Sequence, residues 1–408
     1  MPSAAPNPDA RVVVTGGSAA YEIRDFLTRA SVPFTYLDDE GPAGVAVCTF
    51  ETGVCLTSPT LEDVARELGL ITAPSSGHYD LGIVGAGPAG LAAAVYGASE
   101  GLSVLVIDEF APGGQAGTSS RIENYLGFPE GITGHDLAAR AQAQARKFGA
   151  EILVLRTVVD GHKEGDVFLA TLSDGVPVAA TAVLIATGVD WRRLDVDGVD
   201  RLMHAGVYYG AAASEAPGVA GKDVFIVGGG NSAGQAAMHF ADWARSVTIL
   251  VRGTGLSASM SAYLTRRIED APNVAVQTCT EVARVDGDDW LRELTLRDTR
   301  SGRERSVPAH AVFVCIGGRP RTASTRDDDV IVDDHGYLVT GRDLYDHGLG
   351  RADPRWSARG REPYPLETSQ PGMFAAGDVR HGSTKRVSAA VGEGAMAVPL
   401  IHRFLADR

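Results

Sequence analysis

The sequence is poor in cysteine, has no surplus of positive charge and contains no long apolar run, and each scarcity excludes something. Four cysteines, Cys48, Cys55, Cys279 and Cys315, are few for 408 residues and show no metal-ligand spacing, so no metal site is expected. A net charge of −14 argues against a nucleic-acid surface, because phosphate binding needs clustered Lys and Arg. An acidic balance is also common simply for solubility. No apolar run approaches the roughly 20 residues that span a bilayer, so no membrane partner is expected. Met1-Pro2-Ser3-Ala4-Ala5-Pro6 has neither a basic start nor an apolar core, and the cytoplasm is the expected compartment. What is present is ordinary: 44% hydrophobic and 22% charged residues fit a globular chain of two or three domains.

The first 72 residues read as a small α/β module. Arg11–Thr15 is a β-rich run, and Ala20 to Ala30 has helical spacing with Ile23, Phe26 and Leu27 on one face. A strand-like Phe34–Leu37, a hairpin over Val45–Thr57 turning near Thr52-Gly53, and a helix around Leu61–Leu68 follow. That order resembles a thioredoxin or glutaredoxin fold. The residues after its first strand are Gly16-Gly17-Ser18-Ala19-Ala20, where that fold family carries its cysteines, so the module is expected to be degenerate. Cys48 and Cys55 would face each other if the hairpin turned tightly at Glu51-Thr52; the other reading is a pair of buried, inert thiols.

Residues 73–78 form a small-residue linker, after which the chain changes character. Tyr79–Gly85 is a strand leading into Gly85-Ala86-Gly87-Pro88-Ala89-Gly90, an Ala-rich helix to Glu100, and a second strand, Ser103–Asp108. The same sequence of strand, glycine turn, helix and strand recurs at Asp223–Val227, Gly228-Gly229-Gly230-Asn231-Ser232-Ala233, the helix to about Arg245, and Val247–Arg252.

A lone Gly-x-Gly-x-x-Gly is weak, but a preceding strand, a following helix and an acid about 20 residues on make it strong. In the first unit Gly85 allows the tight turn, Gly87 lets the backbone approach a pyrophosphate, and Gly90 lets helix pack on strand. Pro88 and Ala89 open the helix whose N–H groups would face the phosphates, and Asp108 would accept the ribose hydroxyls. In the second unit Gly228, Gly230, Asn231, Ser232 and Ala233 make the equivalent turn, but the next strand ends in Arg252. A base there suits a ribose phosphate, so NADPH is expected ahead of NADH; a solvated surface arginine is the alternative.

Further motifs divide the labour between the two units. Gly372-Met373-Phe374-Ala375-Ala376-Gly377-Asp378 resembles the second FAD motif of two-dinucleotide-binding flavoproteins, which places Gly377 and Asp378 at the ribityl chain. Lys385, Arg386 and Val387 open a helix running to about Leu405, whose positive end and lysine would face the flavin. Gly113-Gly114-Gln115 and Glu123-Asn124 look like a flavin-contacting loop, with Gly114, Gln115 and Asn124 as contacts. From Tyr79 to Arg408 the chain resembles the low-molecular-weight thioredoxin reductases.

The resemblance implies an α/β fold of two Rossmann-like domains: a split FAD domain (79–193 and 318–408) with an inserted NAD(P)H domain (194–317). The N-terminal thioredoxin-like module is added to that core, and a Pro/Arg-rich insertion lies near Asp343–Pro365. It also implies FAD and NADPH as cofactors and a homodimer. Gly206-Val207-Tyr208-Tyr209-Gly210-Ala211-Ala212-Ala213-Ser214 places Gly210 and Ala213 where the family has its redox cysteines. Tyr208 and Tyr209 then become candidates for stacking on the flavin, with core packing as the alternative.

The resulting expectation is an FAD-dependent NAD(P)H oxidoreductase that passes electrons from flavin directly to an external acceptor, a redox protein or a small molecule. The alternatives are a thioredoxin-disulfide reductase or dithiol oxidase using thiols outside the usual site (Cys48 and Cys55, or a partner's), and a flavin-containing binding or regulatory subunit.

Overall fold

The computed structural model describes residues 11–407 apart from 38–44, 71–72, 120–121, 123, 204, 210–215, 257–259, 323–324 and 326–329. The chain divides into two compact units: Met1–Gly117, Glu123–Asp190 and Arg319–Arg408 form one, Thr118–Ile122 and Trp191–Gly318 the other.

The first unit opens with β1 (Val12–Thr15), α1 (Tyr21–Arg29), β2 (Phe34–Tyr36), β3 (Val47–Phe50), β4 (Cys55–Thr57) and α2 (Leu61–Glu67). Three successive valines favour a pleated strand, and β1 lies centrally in a sheet ordered β2-β1-β3-β4, parallel to β2 and antiparallel to β3. The one-face spacing of Ile23, Phe26 and Leu27 is realised: all three are buried on α1. Thr60 and Asp63 close a reciprocal capping box that starts α2.

The hairpin of β3 and β4 pairs Thr49 with Cys55 and Cys48 with Leu56. Residues on adjacent positions of a ladder point to opposite faces. Cys48 is therefore buried while Cys55 is exposed: the two thiols do not face each other, and the reading of two buried, inert thiols holds for Cys48 and is corrected for Cys55. The cause is the turn, in which Phe50 donates to the Val54 carbonyl and Gly53 to that of Phe50, making the loop longer than a two-residue turn at Glu51-Thr52.

The rest of the first unit is a sheet ordered β7-β6-β5-β10-β9-β8, built from β5 (His78–Val84), β6 (Val104–Ile107), β7 (Glu151–Leu153), β8 (Val158–Glu164), β9 (Val167–Leu172) and β10 (Pro177–Ile185). β5, β6 and β7 run parallel, and β10 runs parallel to β5. β10 changes partner along its length: Pro177–Ala180 pair antiparallel with β9, and Val183–Ile185 pair parallel with β21 (Met373–Ala375). Against this sheet lie α3 (Pro88–Ser99), the single turn α4 (Gly114–Gly117), α5 (Gly134–Lys147) and the C-terminal α9 (Val387–Ala406). Their shared core includes Leu81, Ile83, Leu91, Leu184, Phe374, Ile401 and Phe404.

The insertion near 343–365 is folded onto this unit. Trp356, on the short α8 (Pro354–Ser357), packs with Val339, Leu344 and Leu349. Arg361 lies 4.0 Å from the Tyr364 ring centroid and pairs at 2.7 Å with Glu367, whose carboxylate is fully buried.

The chain leaves through β11 (Val189–Trp191) and returns through β20 (Gly318–Pro320), which pair with each other. The second unit carries a parallel sheet ordered β12-β19-β13-β14-β15, from β12 (Val207–Tyr209), β13 (Asp223–Val227), β14 (Ser246–Val251), β15 (Val274–Thr278) and β19 (Ala311–Val314). α6 (Asn231–Ala241) and α7 (Ala262–Asp270) accompany it, as does an antiparallel three-stranded sheet of β16 (Thr280–Gly287), β17 (Leu291–Asp298) and β18 (Glu304–Pro308). Parallel sheets with crossover helices make both units Rossmann-like α/β structures.

Candidate functional site

The glycine turn of the first unit is dictated by backbone crowding. Gly85 has φ +106°, and a Cβ there would stand 2.4 Å from the Ala186 carbonyl oxygen. Its N–H donates to the Ile107 carbonyl at 2.8 Å, tying the turn to the end of β6. A Cβ on Gly90 would lie 1.9 Å from the Gly85 carbonyl, so only glycine lets α3 start this close to β5. Gly87 differs. It is the N-cap of α3, Pro88 takes the first helical position, and a Cβ on Gly87 would meet nothing nearer than the Gly114 Cα at 3.9 Å. Space therefore lies in front of unpaired helix N–H groups, the environment a diphosphate requires.

Three other segments close on this turn. The Gly113 N–H donates to the Ala86 carbonyl at 2.8 Å, and a Cβ on Gly114 would stand 3.0 Å from the Gly87 Cα. Gln115 donates from Nε2 to the Val189 carbonyl at 3.3 Å. Asp108, just past β6, accepts from the Ala86 N–H at 2.7 Å and from the Phe110 N–H at 3.0 Å, which fixes its carboxylate beside the turn. Burial pushes its pKa up, opposed by those two N–H bonds and by the charge of Arg29. Gly377, φ +78°, brings the third segment in, because a Cβ there would stand 3.0 Å from the Ala89 Cβ.

Asp378 follows Gly377 and is also pushed up by burial, with Lys385 opposing. The Lys385 ammonium donates to the Asp378 carbonyl at 2.5 Å and to the Ser383 hydroxyl at 2.7 Å, and lies 4.3 Å from the Tyr337 ring centroid. Burial lowers its pKa. Arg386 is the N-cap of α9 and Val387 its first residue. Asn124 is exposed in the loop before Tyr125.

The structure thus brings together Gly85, Gly87, Pro88, Ala89, Gly90, Asp108, Gly114, Gly377 and Asp378. The open face of the Gly87 turn, the nearby carboxylates and the glycine contacts fit an adenine dinucleotide such as FAD. Sequence reasoning missed two supports. Glu393 accepts from the Gly377 N–H at 2.7 Å and pairs with Arg380 at 2.6 Å, holding the Gly377 turn. Gly394 lets α9 touch α3, since a Cβ there would stand 2.1 Å from the Ala89 carbonyl. A glycine on an apolar helical stripe was the available signal.

The second unit repeats the turn within itself. Gly228, φ +140°, donates to the Leu250 carbonyl at 3.0 Å, and a Cβ there would stand 2.3 Å from the Cys315 carbonyl oxygen. Gly230 is the N-cap of α6, and the Asn231 Oδ1 at the first helical position accepts from the Ser261 N–H at 2.7 Å. Ser232 follows, and Ala233 is buried where the first unit has its third glycine. Arg252 is exposed just beyond β14, and among the described residues its side chain has no ion pair.

The two tyrosines differ in their surroundings. Tyr208 is 5% exposed, stacked at 5.0 Å on Phe313, which is stacked in turn at 4.1 Å on Phe240. Core packing, the alternative to flavin stacking, describes Tyr208. The Tyr209 hydroxyl accepts from the Leu194 N–H at 2.7 Å. Gly210 and Ala213 lie outside the described residues.

All four cysteines are free, and three of them are buried. Burial pushes the Cys48 thiol up to about 11 and the Cys315 thiol up to about 12. Among the described residues no cluster of three or more potential metal ligands occurs, and no helix is long and apolar enough to cross a membrane.

Comparison with known proteins places this geometry. The pyridine nucleotide-disulphide oxidoreductase family profile matches residues 79–394. A thioredoxin reductase of Streptomyces clavuligerus is 35% identical over 325 residues, which is 79% of this chain and 93% of that protein. One from Mycolicibacterium smegmatis is 34% identical over 331 residues, covering 81% of this chain and 97% of the relative. The crystal structure of T. acidophilum thioredoxin reductase superposes with a TM-score of 0.70 at 28% identity, covering 81% of this chain and all (100%) of that one.

Proposed function

Because the chain belongs to the pyridine nucleotide-disulphide oxidoreductase family and is an FAD-dependent oxidoreductase, we propose that it takes hydride from NADPH and passes electrons from flavin directly to an external acceptor. FAD, when bound, supplies the centre that accepts a hydride and gives up electrons singly or in pairs. In this reading the chain's own residues hold and orient. The α3 N-terminus and Gly87 take the diphosphate, Asp108 the adenosine ribose, and Asp378 the ribityl chain. Lys385 adds positive charge at the entry of α9. In the second unit Gly228, Gly230 and α6 take the nicotinamide dinucleotide, and Arg252 takes its ribose phosphate.

The observation that carries the direct route is the state of the thiols. Cys48, Cys279 and Cys315 are buried, Cys55 alone is exposed, and the sequence contains no Cys-x-x-Cys. A disulfide relay needs two accessible sulfurs in reach of each other, one of them a thiolate. This chain offers none. In the same reading the N-terminal module is a thioredoxin-like fold without its redox cysteines, and the assembly is a homodimer.

A second reading keeps a disulfide as the substrate, with both thiols supplied by the partner. It is favoured by the curated relatives, which are thioredoxin reductases at 34–35% identity. One experiment separates the two: NADPH oxidation by the purified holoprotein, with an artificial quinone or with thioredoxin as acceptor. The direct route predicts turnover with the quinone and none with thioredoxin. Thioredoxin reduction that survives Cys55→Ser would establish the second reading instead.

A further inference from the structure

We propose that Arg29, carried by α1 of the N-terminal module, is a positioning residue for FAD, so that the module is a fixed wall of the cofactor site. The inference rests on the reading that the first unit binds FAD. Arg29 lies at the last position of α1, yet its guanidinium is bonded to the neighbouring fold. Nη2 donates to the Gly114 carbonyl at 3.2 Å and to the Ala111 carbonyl at 3.5 Å. The Cζ lies 4.7 Å from the Phe110 ring centroid, and Nη1 lies 3.7 Å from the Asp25 carboxylate. The loop so held, 110–114, follows Asp108 and presents Gly114 to the Gly87 turn.

Two observations assign more than packing to this contact. The Arg29 Nε is buried and has no hydrogen-bond partner among the described residues, although a buried donor without an acceptor is costly. That cost is borne where the guanidinium holds the Ala111 and Gly114 carbonyls, so Arg29 acts on the site through the loop whose Gly114 stands against the Gly87 turn. The Arg29 charge also acts on Asp108, favouring the carboxylate that ribose hydroxyls require.

The module is docked rather than tethered. Ala111 and Val154 belong to the same apolar cluster as Phe26, Leu27 and Cys48. Phe26 meets Phe110 edge-on at 5.8 Å, and Glu62 of α2 lies 3.7 Å from the buried Arg156. A thioredoxin-like module placed this way has exchanged a carrier's mobility for a structural role at the cofactor.

The test is FAD titration of the full-length apoprotein, followed by protein fluorescence, with ADP as a second ligand. Arg29→Ala should raise the FAD Kd about tenfold and the ADP Kd by a similar factor, because the contact serves the adenosine half. Arg29→Lys should recover part of the loss. Arg29→Met keeps the apolar stem over Phe110, so it decides the matter if the alanine variant folds poorly. Arg24→Ala, on the same helix but stacked at 4.0 Å on Tyr36 within the module, should leave both constants within twofold. An unchanged FAD Kd in Arg29→Met, or an equal loss in Arg24→Ala, overturns the proposal. Failure of the wild-type apoprotein to bind FAD would instead remove the reading on which it rests.

Discussion

Cys48 and Cys55 occupy adjacent strands of one hairpin but opposite faces of its sheet, Cys48 inward opposite Leu56 and Cys55 outward opposite Thr49. Their chemistry diverges accordingly. In the native protein at pH 8, a thiol reagent should label Cys55 fast and the other three only after unfolding. Burial raises the Cys48 and Cys315 pKa values to about 11 and about 12. Their contribution to stability is therefore full below the unfolded thiol value of about 8.5 and is lost as pH rises from there through the folded values. Two or more fast thiols at pH 8 would contradict the burial. Cys48→Ser with Cys55→Ser should leave NADPH-dependent quinone turnover unchanged.

Asp108 is predicted to set adenosine affinity. In the proposed role it would accept hydrogen bonds from the ribose hydroxyls as a charged acceptor, each worth about 1.5–3 kcal/mol, so Asp108→Ala should weaken FAD binding about ten- to 150-fold. Because burial raises its pKa, FAD affinity should also fall as pH drops through that raised value, and in Asp108→Ala this pH dependence should disappear. Equilibrium titration across acid pH reads both.

Arg252 is predicted to discriminate between nicotinamide cofactors. Arg252→Ala should raise the KM for NADPH about tenfold and leave that for NADH nearly unchanged, since a single exposed charge-assisted contact is at stake. Steady-state kinetics with both nucleotides is the check. Equal losses would free Arg252 of the role.

Tyr208 should behave as a core residue. Removing its ring from the stack with Phe313 and Phe240 leaves a cavity, and large aromatic truncations of this kind cost about 3–5 kcal/mol. Tyr208→Ala should lower the unfolding temperature while leaving the flavin absorption spectrum as in the wild type. A shifted flavin band with unchanged stability would reverse the assignment.

The two Rossmann-like units were legible because their turns leave no choice of residue. Gly85 and Gly228 both sit at positive φ with a carbonyl within 2.4 Å of any Cβ, so the backbone writes itself into the sequence. Ile23, Phe26 and Leu27 announced α1 by their spacing in the same way. Tyr208 carried no such mark, since an aromatic on a short strand reads alike whether it meets a flavin or Phe313. The hairpin of Cys48 and Cys55 misled because its face assignment hangs on one turn, and a single residue of register inverts it. Arg29 was invisible for a different reason: an arginine ending an amphipathic helix is the ordinary pattern for that position. What it touches lies 82 and 85 residues further along the chain.

The contact of Gly377 with Ala89 has a consequence for biogenesis. One half of the proposed cofactor site, Gly85 to Asp108, leaves the ribosome early. Its closing segment follows only after the whole second unit has been synthesised. At roughly 5–20 residues per second the delay is on the order of tens of seconds. Throughout that interval β10 lacks β21 and α3 lacks α9, so the apolar stripe of α3 and one side of β10 stay uncovered. If the cofactor binds at this turn as proposed, its loading would be a late event that waits for the C-terminal helix, and a nascent chain truncated before Gly377 would be a client for chaperones rather than a flavoprotein.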